Sequence, residues 1–160
     1  MILIYCYKSS PRIEYTFNHI FKFILNEKFS ITYSKSEFID FKGYKFSYAN
    51  TPISKELFFQ SIGLLDEGGL ENYEIKIFKW EDVKCFFKVG SNSVIPFDMF
   101  SAIFFLLSRY EEYMPHTGNK LGQFNHLQSI AYKEEFLEIP LVDIWIEKFK
   151  SVLENKIKLK

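Results

Sequence analysis

The sequence predicts an α/β fold, a mixed β-sheet flanked by about three helices in a single domain, and three observations lead there. The chain opens on an apolar strand-like run, ILIYCY, followed by an amphipathic segment and a second strand-like run, which is a β-α-β order. The run MFSAIFFLL is apolar all round, as a buried helix must be. From Pro140 onward a third helical pattern carries a single apolar stripe.

Taken in order, ILIYCY reads as a buried strand. SSPRIEYTFNHIFKFILNE follows as a helix, with Ser10 as its cap and Pro11 at the first helical position, where the missing N–H costs nothing. Ile13, Phe17, Ile20, Phe21 and Ile24 recur on its inner face. FSITY is a second strand. YKFSYAN is a third, with Tyr44, Phe46 and Tyr48 expected to form one packed face. LFFQSIGLL fits either a strand or a short helix, and DEGG after it is a turn. IKIFKW and CFFKV flank EDVK as the two arms of a hairpin. The long helix runs from Asp98 and must stop by Pro115, because the residue before a proline avoids helical geometry. Residues 116 to 138 read as loop, and Val142, Trp145, Ile146, Phe149, Val152 and Leu153 form the stripe of the last helix. No internal boundary divides residues 1–160.

A chain of 160 residues buries about two-thirds of its unfolded surface, enough for a real core. It is 48% hydrophobic and unusually aromatic, with nineteen Phe and ten Tyr, which excludes a disordered chain. Zero formal net charge removes the broad attraction that drives binding to a phosphate backbone, so no nucleic-acid partner is expected. KGYKFSYA has the alternating aromatics of an RNA-stacking strand, but Lys45 stands where such a strand wants a small residue and Ala49 where it wants an aromatic. RNA binding is therefore a remote alternative. The two cysteines, Cys6 and Cys85, lie in apolar runs and read as buried free thiols of a reducing compartment. MILIYCYK looks like a strand rather than a signal peptide, and no apolar run is long enough to span a membrane. A cytoplasmic domain is expected.

The most informative stretch is LLSRYEEYMPH, where the buried helix turns into charge. On a helical wheel Phe100, Phe104, Leu107 and Glu111 share one face, and Asp98, Ala102, Phe105, Arg109 and Glu112 share roughly the opposite one. Glu111 continues a core stripe and is costly to bury without a partner. With eighteen lysines to two arginines, the chain uses arginine where a planar fork is wanted, and Arg12 and Arg109 are those two. Three readings stay open: an exposed Arg109–Glu112 pair one helical turn apart, a buried ion-pair cluster of Arg12 and Arg109 with Glu111 and Glu112, or a ligand site in which Arg109 holds an anion.

His116 and His126 flank HTGNKLGQFNH and, with Gln123, are candidate loop contacts. His19 stands apart from them, no HExxH spacing exists, and no metal site is expected. GxSxG, P-loop and GxGxxG patterns are all missing, so no catalytic residue is assigned.

FDMFSAIFFLLSRYEEYMPH, followed by LGQF and SIAYKEEFLEIPLVDIW, strongly resembles the N-terminal domain that precedes the catalytic domain in a group of bacterial polysaccharide deacetylase-like proteins. FFQSIGLL and the MILIY opening with SPRIEY fit the same pattern, so the resemblance covers nearly the whole chain. It implies that residues 1–160 are the N-terminal part of a longer protein whose downstream half is a metal-dependent carbohydrate deacetylase. It implies a divalent metal only in that half and no cofactor here. That family's metal chemistry uses an Asp-Asp pair and an HxxxH pair, and this sequence holds neither. The polar positions that match are Asp98, Arg109, Glu111, Glu112 and Asp143, which with Arg12 form the candidate ion-pair or ligand cluster. Where the family usually has Gly-Arg-Phe, this sequence has Gly122, Gln123 and Phe124. The expected function is a non-catalytic domain that packs on the downstream domain and helps position its substrate. The alternative is an independent module for a glycan or sugar phosphate.

Overall fold

Ile2–Cys6 form β1, an apolar run buried on both faces, as a strand must be when helices cover both sides of its sheet. The computed structural model describes residues 1–66, 75–108 and 141–157. β1 is flanked by β2 (Phe29–Thr32) and β3 (Tyr44–Ala49), and β4 (Phe58–Gln60) completes a parallel sheet of order β2-β1-β3-β4. In register, Ile2 lies beside Phe29 and Tyr44, and Tyr5 beside Thr32 and Ser47. A separate antiparallel hairpin joins β5 (Phe78–Trp80) and β6 (Val83–Cys85). The fold class is α/β, with parallel and antiparallel strands in different sheets.

Ser10 caps α1 (Pro11–Phe17) as the sequence predicts, its side chain accepting from Ile13 N at 3.0 Å. The helix then continues as a π-helical segment, Asn18–Ile24, in which Leu25 N reaches back five residues to Ile20 O at 2.9 Å. Asn26, at φ 54°, terminates it in the left-handed conformation that asparagine tolerates. The wider turn corrects the predicted inner face. Ile13, Phe17, Ile20 and Phe21 are buried, but Ile24 rotates out and is 39% exposed.

Between β2 and β3 lies a helix the pattern reading omits, α2 (Lys35–Asp40), started by Ser34, whose hydroxyl accepts from Glu37 N. Lys45 Nζ donates to the carbonyls of Phe38, Ile39 and Phe41 at its far end. Alternation along the strands divides the core. Leu3, Tyr5 and Ala49 pack with Phe38 of α2 on one face, while Ile2, Ile4, Cys6, Phe46 and Tyr48 face α1 and the large cluster on the other. Tyr44 does not share the packed face predicted for it. It sits where β3 enters the sheet and is 43% exposed, whereas Phe46 and Tyr48 are buried and so unavailable for stacking on bases.

LFFQSIGLL contains both elements it suggests, β4 and a short 3-10 turn at Leu64–Asp66. The hairpin is tighter than expected: Glu81 and Asp82 alone make the turn, at φ 49° and 72°, so Val83 and Lys84 belong to β6 rather than to a loop. Two positive φ values in a two-residue hairpin favour Asn-Gly, and this chain has neither residue there. Asp82→Gly is therefore expected to stabilise the fold by about 0.5–1 kcal/mol, measurable as a higher urea midpoint at unchanged m-value.

The long helix α3 is described over Met99–Leu107, and the last helix, α4, over Leu141–Ile157. Both lie on the α1 side. Trp145, Phe149 and Leu153 are fully buried, and Trp145 Nε1 donates to Lys84 O at 3.0 Å, tying α4 to the hairpin. Phe100 stands at the centre of the aromatic core, with ring centroids of Phe17 and Tyr48 at 4.9 Å, Phe149 at 5.5 Å and Phe59 at 5.9 Å. Phe46 stacks on it at 6.1 Å, the two rings 5° from parallel. Among the described residues no helix is long and apolar enough to cross a membrane.

Candidate functional site

Asp98 is the first residue of the charged set whose place is defined. It caps α3, where a carboxylate meets both the unsatisfied amides and the positive end of the helix. One oxygen accepts from Ser101 N at 3.1 Å and the other from Ser101 Oγ at 2.6 Å. The Tyr48 hydroxyl, on β3, lies 2.8 Å from both carboxylate oxygens. Ile62 N, in the segment after β4, donates to Oδ2 at 2.9 Å. One side chain thus joins sheet, helix and loop.

Both Asp98 and Tyr48 are closed to solvent, at 1% and 2% exposure. Burial pushes the Asp98 carboxyl up to about 6, against the hydrogen bonds from Ser101, Ile62 and Tyr48 that favour its ionised form. Burial, and then the Asp98 charge, raise the Tyr48 phenol well above its ordinary value. Every hydrogen bond that Asp98 makes links parts of the fold: the start of α3, β3 and the segment after β4.

Arg12 approaches the same loop from α1. Its Nη1 donates to Leu64 O at 2.7 Å, and its guanidinium lies 5.3 Å from the centre of the Phe104 ring. The Ser10 hydroxyl donates to Leu65 O. Ser61 Oγ accepts from Gly63 N at 2.9 Å, and Gly63 takes φ +96°, a conformation that disfavours any side chain. Residues 61–65 are therefore gripped by Asp98 from one side and by Ser10 and Arg12 from the other.

Of the predicted cluster, Arg12 and Asp98 meet at one loop without bonding each other, and Asp98 is held by neutral donors rather than by an arginine. Asp143 stands apart, exposed in the first turn of α4. Arg109, Glu111, Glu112, His116, Gln123 and His126 lie outside the described residues, and so does the stretch from Arg109 to Pro115 of the predicted long helix. No group of three or more metal-ligating side chains occurs among the described residues.

Sequence reasoning missed Tyr48 and Ser101 as partners of Asp98, because they come from 50 and 3 residues away and neither belongs to a motif. It also missed Glu56. Partial burial would raise its carboxyl, but Ser47 Oγ and the amides of Ile53 and Ser54 hold it below the ordinary value. Cys6 and Cys85 are free and buried. Burial pushes the Cys85 thiol up to about 12 and raises Cys6 as well, so neither is an activated nucleophile.

A protein-family model matches residues 2–158, nearly the whole chain, and the function of that family is unknown. No curated protein and no solved structure matches.

Proposed function

The chain belongs to that family of unknown function, DUF7033, and we propose that it serves as the non-catalytic N-terminal domain of a polysaccharide deacetylase-like protein, packing on a downstream metal-dependent domain and helping to position its substrate. The reading rests first on the resemblance carried by FDMFSAIFFLLSRYEEYMPH and PLVDIW. One observation supports the scaffold part of it: four of the buried or half-buried charged groups, Asp98, Arg12, Lys45 and Glu56, each bind backbone amides or carbonyls. The FD pair and the PLVDIW segment enter the same way, Asp98 as a helix cap and Trp145 as a core ring tied to Lys84. Groups committed to the fold are what a positioning domain needs, since a surface that orients a neighbour must itself be rigid.

The test is calorimetric titration of this chain with the separately expressed segment encoded downstream of Lys160. Saturable binding is expected, together with deacetylase activity in the downstream segment. A coding sequence that ends at Lys160, or a downstream segment that neither binds nor deacetylates, overturns the reading.

A further inference from the structure

The parallel sheet has a switch point. β1 passes the chain through α1 to β2 on one side, and β3 passes it to β4 on the other, so the loops leaving β1 and β3 diverge at their carboxyl ends. In open parallel sheets a crevice at that place is the usual ligand position. Here it holds a hollow of about 220 Å³, on the α2 face, walled by Tyr5, Tyr7, Lys35, Asn50, Thr51 and Ile53 among others.

Its chemistry is specific. The side chains of Lys35, Asn50 and Thr51 have no hydrogen-bond or ion-pair partner among the described residues, and no carboxylate lines the hollow. It therefore offers one cation, an amide, a hydroxyl and tyrosine rings. A second, larger hollow of about 500 Å³ lies at the amino ends of β3 and β4. There Lys45 already binds three carbonyls, and Glu56 a hydroxyl and two amides. Lys55, Asn92 and Lys156 also line that larger hollow, but Glu56 sets a carboxylate in its wall; the smaller hollow is the one whose polar wall carries a cation and no acid, and its volume falls below the roughly 300–1,000 Å³ that drug-sized ligands occupy.

We propose that this hollow binds one small anionic sugar, a monosaccharide bearing a phosphate or a carboxylate. Lys35 pairs with the anion, Asn50 and Thr51 bond neighbouring hydroxyls, and a tyrosine ring lies against the sugar's C–H face. This inference is independent of the deacetylase-domain reading, and either can fail alone.

The 160-residue chain is titrated calorimetrically with glucose 1-phosphate, glucuronate, glucose and inorganic phosphate, beside the variants Lys35→Ala and Thr51→Ala. At least one acidic sugar is expected to bind more tightly than glucose, and whichever acid is preferred identifies the anion. Lys35→Ala should weaken that binding about tenfold or more, the equivalent of one charge-assisted hydrogen bond. Thr51→Ala should weaken the sugar and leave inorganic phosphate unchanged. Both residues are exposed, so both variants should keep the parent unfolding midpoint. The proposal is overturned if neither acidic sugar binds, if glucose or inorganic phosphate binds as tightly as they do, or if Lys35→Ala has no effect.

Discussion

Phe100→Ala is expected to lower the free energy of unfolding by about 3–5 kcal/mol, the range for deleting a buried phenylalanine whose site cannot collapse. The site cannot collapse because its walls come from every part of the domain: Phe17 from α1, Phe46 and Tyr48 from β3, Phe59 from β4 and Phe149 from α4. Rings packed at centroid separations of 4.9–6.1 Å, four of them edge to face and Phe46 stacked, have no smaller arrangement to fall back on. Against a typical total of about 5–15 kcal/mol, this loss is enough to leave a marginal fold. Urea unfolding followed by near-ultraviolet circular dichroism measures it. A loss under about 1 kcal/mol would mean that the aromatic core repacks, and the central place given to Phe100 would be wrong.

The second large effect is at Asp98. Asp98→Ala removes a helix cap worth about 1–2 kcal/mol and leaves the amides of Ser101 and Ile62 without this acceptor, while the Tyr48 and Ser101 hydroxyls, 3.1 Å apart, keep each other. Relief of the buried charge offsets part of this, and a net loss of about 3 kcal/mol at neutral pH is expected. The pH dependence identifies the cause. Because the folded carboxyl titrates near 6 and the unfolded one near 3.8, the folded state holds the proton more tightly. The contribution of Asp98 is thus fully present below about pH 4, falls as pH rises through 6 and is constant above that. A shift of about two units corresponds to roughly 3 kcal/mol. Glu56 acts in the opposite sense, its lowered carboxyl losing stability as pH falls. The comparison must therefore be wild type minus Asp98→Asn, measured by urea unfolding between pH 4 and pH 7.5. That difference should decline across the window; a flat difference would place the Asp98 carboxyl at its ordinary value.

Much of the architecture is written in local pattern. Ser10 and Pro11 announce α1, the ILIYC run announces a doubly covered strand, and the α4 stripe predicts which of its residues are buried at Trp145, Ile146, Phe149 and Leu153. The failures have physical reasons. α2 is only six residues long, and its signal is the pairing of Ser34 with Glu37, a capping pattern with hardly any apolar stripe behind it. The Glu81–Asp82 turn carries neither Asn nor Gly, the residues by which such turns are recognised. A 3.6-residue period places Ile24 inward, but the segment winds as a π-helix and turns it out. As for the site, the scarcity of arginine and the FD start of α3 singled out Arg12 and Asp98. Two of their partners are the amide of Ile62 and the carbonyl of Leu64, and backbone groups have no letter in a sequence; Tyr48 and Ser101 belong to no motif that would pair them with Asp98.

The placement of α4 bears on how the protein is made. Phe149 packs against Phe21, Phe46 and Phe59, rings fixed more than eighty residues earlier in the chain, and Leu153 is sealed behind it. During synthesis the ribosome therefore releases a complete parallel sheet whose α1 face stays greasy until the last helix emerges. An expression boundary drawn before Leu153 yields a chain that offers this face to chaperones, or to other copies of itself, in place of α4.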